Sequence, residues 1–138
     1  MDKKTQDLIT ERRKAAVMMV LAGHVGEHNA IGMGELFEEV WGESWSHRIN
    51  HTRGLRRVVT KLRREGTPIC STAMQNGGGY YIPAAGSELS EYLQRDTQRA
   101  LRILARVARI KKITLPEYLG QMKLRMEEPV DCFGRGIS

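Results

Sequence analysis

The chain has 138 residues, of which 41% are hydrophobic and 6% aromatic; that is enough for one compact core with an added helix and too little for two full domains. Its 22 Lys/Arg against 16 Asp/Glu leave a net charge of +6, which points to a polyanionic partner, while the few aromatics argue against a stacking platform for single-stranded nucleic acid. No apolar run approaches the roughly 20 residues of a membrane span, and the opening MDKKTQDLITERRK has no signal-peptide core. The two cysteines, Cys70 and Cys132, suit a reducing cytoplasm better than a disulfide framework.

Residues 1–9 read as a flexible lead-in. Thr10 is placed to cap a first helix reaching Ala22 or Val25, with Val17, Val20 and Leu21 inward and Gly23 and Gly26 ending it. GEHNAIG follows as a loop. Met33 to Trp41 (MGELFEEVW) reads as a second helix, since Met33, Leu36, Phe37 and Val40 fall at i, i+3, i+4, i+7. Trp41 and Trp45 are expected to pack in the core or at the hinge.

The stretch from Ser46 to Gly66 carries seven Lys/Arg between Ser46 and Arg64 and no acid. Leu55, Val58, Val59 and Leu62 form one apolar stripe of a helix. At about 100° per residue, Asn50, Arg53, Arg57, Thr60 and Arg64 lie opposite it, with Arg56 and Lys61 at the margins. Asn50 is expected to cap the start, and Gly66 with Pro68 to stop the end. A helix built only for solubility usually mixes signs to gain i,i+4 pairs. One with a docked back and an Arg- and Asn-bearing front suits the major groove of DNA.

After Gly66 the pattern becomes that of a hairpin: strand residues Pro68 to Thr72, a turn at Gln75 to Gly79, and strand residues Tyr80 to Ile82 closed by Pro83. So short a hairpin must pack on the helices. The run LRRVVTKLRREGTPICS with GGGYYIP, within residues 55–83, resembles the recognition helix and wing of winged helix-turn-helix DNA-binding proteins. It is similar in particular to small phage and prophage domains in which an L-R-x-x-G-x-P-I segment passes from helix to wing. The resemblance covers residues 10–86 and implies a helix in the major groove with wing-tip contact to backbone or minor groove. On that reading Asn50, Arg53 and Arg57 meet base edges, while Arg56, Thr60, Lys61 and Arg64 hold the backbone. Gln75 and Asn76 reach out from the wing tip. Two features depart from the pattern: Gly54 inside the recognition helix, worth roughly 1 kcal/mol against Ala unless close packing needs it, and an acidic second helix.

Ser87 to about Ile113 reads as one long helix. Arg95, Arg99, Arg102, Arg106 and Arg109 fall within roughly 80° of arc. They are either a second phosphate-contacting surface or a solubilising face that could pair with the second helix's acids. The apolar arc opposite (Leu89, Leu93, Ala100, Leu104, Val107, flanked by Tyr92, Ile103 and Ile110 on one side and by Leu101 and Ala108 on the other) is wide enough to pack on the winged domain and also on a second copy, which implies a homodimer through residues 87–113. Thr114-Leu115-Pro116-Glu117 is a capping box that starts a last helix to about Met126, and 127–138 reads as a flexible tail.

The expected architecture is mainly α with a small β-hairpin: a winged helix-turn-helix over 10–86, then a long and a short helix over 87–126, with a possible protein partner at these C-terminal helices. No catalytic constellation stands out. His24 to His28 matches H-x-x-E-H, but glycines interrupt the helix that chemistry needs. His47 and His51 lie four apart without a Cys/His quartet, and their place at a helix start suits phosphate hydrogen bonds better. No G-K-[ST] follows the glycines at 77–79. The expectation is therefore a cytoplasmic protein with no enzymatic activity, cofactor or metal site that binds double-stranded DNA, such as a phage or prophage transcription regulator. Alternatives are a replication or DNA-packaging adaptor, and a protein-interaction module on the same scaffold.

Overall fold

The computed structural model describes residues 2–45, 48–73 and 78–126, with Arg48 described by its backbone alone. In chain order it contains α1 (Lys3–Leu21), a 3-10 turn (Glu27–Asn29), β1 (Ile31–Gly32), α2 (Met33–Trp41), α3 (Arg48–Arg64), β2 (Cys70–Thr72), β3 (Gly79–Tyr81), α4 (Ser87–Ile110) and α5 (Leu115–Met126). The chain divides into two units, residues 1–92 and 93–138, and the division falls within α4.

In the first unit the core is made where three apolar stripes meet. Val17 and Leu21 of α1, Leu36 and Phe37 of α2, and Leu55, Val58, Val59 and Leu62 of α3 are all buried, joined by Ile31, Ile69 and Tyr80 from the strands and their approaches. Removing these side chains from water is the main favourable term. α1 begins well before Thr10. Residues 3–9, read from sequence as a lead-in, are its first turns, and the Asp2 carboxylate caps it by accepting from Thr5 N at 2.8 Å. The Thr10 hydroxyl instead donates to the Gln6 carbonyl inside the helix. α2 ends at Gly42, whose φ of 71° lets the chain leave in the left-handed conformation.

The sheet is three-stranded and antiparallel, in the order β1-β3-β2. β3 pairs with β2 through Cys70–Tyr81, Ser71–Tyr80 and Thr72–Gly79, as the hairpin pattern implies. Its other edge pairs with β1, Ile31 opposite Tyr80 and Gly32 opposite Gly79. That strand lies in the segment read from sequence as a loop. Two residues carry no period-2 signal, and they are extended because the free edge of β3 supplies their hydrogen-bond partners. Gly26 N donating to Ile82 O at 2.8 Å and Met33 N donating to Gly78 O at 3.0 Å extend the stitching to either side.

In the second unit α4 turns into α5 through Lys112, at φ 59°, with Ile113 N donating to the Ala108 carbonyl. The Thr114 hydroxyl accepts from Glu117 N at 3.2 Å, the side-chain half of the expected capping box. Lys111 lies over the Tyr118 ring at 5.3 Å. Among the described residues from 93 onward, Ala108 is the only buried one. No helix among the described residues is long and apolar enough to cross a membrane.

Candidate nucleic-acid interface

Three anchors fix how α3 is presented. Near its start His51 stacks on Phe37 with ring centroids 4.0 Å apart, and Trp45 closes on the same pair at 5.2 Å from Phe37. The phosphate-binding role expected of His51 is therefore not supported: the ring is half-buried in an aromatic cluster because it sits on the core side of the helix. His47 lies outside the described residues. In the middle, Gly54 faces the Trp41 ring, 3.6 Å from where its Cβ would stand, and that ring stacks on Phe37 at 4.7 Å and has the Arg13 guanidinium 4.8 Å from its centroid.

The third anchor is at the C-terminal end. Arg63 donates through Nε to the Ile69 carbonyl at 2.8 Å and through Nη2 to the Ser71 hydroxyl at 2.9 Å, and lies 5.9 Å from the Tyr80 ring centre. This cation clamps the helix to the sheet. The sequence places Arg63 in the basic run but not among the expected DNA contacts, and the fold gives it this structural task. Glu65 is likewise occupied, bonded to Lys14 of α1, and these two carboxylate contacts, to Glu65 first and to Glu11 second, raise the Lys14 pKa above its ordinary value.

With the back of α3 fixed, its front stands in solvent. Asn50, Arg53, Arg56, Arg57, Thr60, Lys61 and Arg64 are all exposed. Among the described residues none of their cationic groups is ion-paired; the ion pairs present are Lys14 with Glu11 and Glu65, and Arg99 with Asp96. The acids of α2 do not neutralise this face, and Glu38 is engaged by the Trp45 backbone N–H at 3.0 Å. Asn50 is not the cap it was expected to be. It lies inside the first turn of α3, which leaves its amide available to a ligand. Gln75 and Asn76, expected at the tip between β2 and β3, lie outside the described residues.

No protein-family model, curated protein or solved structure matches this chain.

Between α3 and the hairpin opens a cleft of about 350 Å³ whose lining includes Arg56, Thr60, Thr72 and Tyr80. Arg56 and Thr60 thus stand on the sheet side of the front, as helix geometry requires of residues four apart. Close packing does not demand glycine at Gly54, contrary to the expectation from sequence: a methyl there would meet Trp41 at 3.6 Å, an ordinary contact. Gly34 of α2 is the tighter position, its would-be Cβ lying 3.1 Å from the Trp45 ring.

The second basic stripe differs in its setting. Arg95, Arg99, Arg102, Arg106 and Arg109 are exposed, and among the described residues only Arg99 of the five has an ion pair, 3.8 Å from its neighbour Asp96. Sequence reading also passed over Ile49, which is 75% exposed at the start of α3. The helical wheel already put it on the outward side, beside Arg53 and Arg56.

Proposed function

We propose that this chain is a cytoplasmic, sequence-specific double-stranded DNA-binding protein of the winged helix-turn-helix kind, of the sort that regulates phage or prophage transcription. The reading puts α3 in the major groove and the β2–β3 hairpin on the neighbouring backbone or minor groove. One observation carries it. α3 has a fully buried apolar back and a solvent-open front on which Arg53, Arg57 and Arg64 have no carboxylate partner among the described residues. Unpaired arginines held on a rigid helix form bidentate contacts to guanine and charge-assisted contacts to phosphate. The order helix, helix, basic helix, hairpin supports the same reading.

Binding to random duplex DNA as a function of salt tests it. Micromolar affinity at moderate salt that falls with a log–log slope of about −0.9 per phosphate neutralised is the expected result. No retention under those conditions overturns it. Selection of bound duplexes from a random pool then separates a sequence-specific regulator from an adaptor that grips any duplex.

A homodimer through residues 87–113 is part of the proposal. Leu93, Leu101, Ile103 and Ile110 are 54%, 40%, 47% and 75% exposed, so these apolar positions of α4 stand open among the described residues. A monomer in sedimentation at every concentration removes this part. The exposure of Leu124 and Met126 on α5, 68% and 76%, favours a second reading in which the C-terminal helices take a protein partner. Retention of a partner by a chain that binds no duplex is its signature.

A further inference from the structure

The front of α3 is ionic or hydrogen-bonding at every exposed position but one. Asn50, Arg53, Arg56, Arg57, Thr60 and Lys61 are joined there by Ile49, 75% exposed in the first turn. No packing among the described residues uses it. Isoleucine is β-branched and a weaker helix former than the straight-chain residues, it is not among the residues of the core, and it stands one turn before Arg53 and two before Arg56, on their side of the helix. A branched apolar group at that place gains only if the surface that α3 meets offers apolar area of its own. On the major-groove edge of a base pair the only such group is the thymine C5-methyl.

We propose that Ile49 reads a thymine methyl next to the base contacted by Arg53. The inference rests on the DNA-binding reading above and adds a specificity determinant to it. The arginines supply attraction to any duplex and hydrogen bonds to guanine, and neither distinguishes thymine from a base that lacks the methyl. Ile49 closes that gap by excluding water between two apolar surfaces, an effect proportional to the area covered.

The test uses the full chain and a duplex selected from a random pool, with uracil replacing each thymine in turn. Uracil keeps the base pair and deletes only the methyl group. The expected result is one position at which uracil weakens binding about fourfold, the worth of one buried methyl. Ile49→Ala should weaken binding to the thymine duplex by at least as much and should bind the thymine and uracil duplexes equally. Ile49→Val, which keeps the branch, should retain the discrimination. Sequence-selective binding with no thymine position sensitive to uracil overturns the inference and leaves the parent reading standing. Sensitivity that persists in Ile49→Ala does the same. Failure to bind any duplex, with an unchanged circular dichroism melt, overturns both.

Discussion

α3 and α4 are alike as sequences and opposite as structures. Each is amphipathic, each carries a stripe of arginines, and each has an apolar side wide enough for a core. In α3 that side is consumed: Leu55, Val58, Val59 and Leu62 are 0–5% exposed, enclosed by α1 and α2. In α4 the equivalent side is open at Leu93, Leu101, Ile103 and Ile110, and only Ala108 is buried. An apolar stripe thus announces that a helix will be covered without saying by what. The arginines follow the same logic, because a cationic front is a usable surface only when its back is held rigidly.

The largest expected effect breaks the comparison at the core. Leu55→Ala should lower unfolding free energy by about 2–5 kcal/mol, while Ile110→Ser should stay within about 0.5 kcal/mol at low protein concentration; denaturant titration measures both. Equal losses would mean that α4 is covered in solution as α3 is in the fold. Next, Arg57→Ala should weaken specific DNA binding by about 1–3 kcal/mol with an unchanged melting temperature. Arg102→Ala, on the second stripe, should change non-specific affinity only through the salt slope. An Arg57→Ala protein that binds like the parent removes the assignment of bases to α3.

Two glycines sharpen the account of how the front is held. Gly54→Ala should stabilise by up to about 1 kcal/mol, since the new methyl meets Trp41 at an ordinary 3.6 Å and relieves the helix of glycine's entropy. Gly34→Ala should forfeit that gain, because at 3.1 Å the Trp45 indole must shift and with it the aromatic cluster around His51. The smallest effect concerns Lys14. Its pKa is raised by Glu65 and Glu11, so its stabilising contribution is whole below the ordinary lysine pKa and is lost as pH rises through the raised one. The stability difference between Lys14→Met and the parent should therefore shrink at high pH; a constant difference would assign the effect to packing of the stem.

Much of the fold was legible residue by residue. The stripes of α2 and α3, the capping box before α5 and the hairpin pairing of Cys70 to Thr72 with Gly79 to Tyr81 follow from periodicity and turn chemistry, which act over a few residues. Other features were not legible because the deciding partner is distant in the chain. β1 exists because β3 has an unpaired edge, Arg63 is tied to the sheet because the Ile69 carbonyl and the Ser71 hydroxyl accept its hydrogen bonds, and His51 has a stacking partner because Phe37 is brought to it from α2. The start of α1 is ambiguous for a local reason: Asp2 and Thr10 are both competent caps, and the helix uses the outer one.

By itself, then, the order of residues determined which helix is basic, which side of it is apolar and where its acids are missing, since helix geometry converts spacing into faces without help from the rest of the molecule. Only the tertiary structure decided which of those cations are spent inside the fold and which stand free, because that depends on carbonyls, rings and carboxylates brought from elsewhere in the chain. The candidate interface is what remains of the basic pattern after the fold has taken its share.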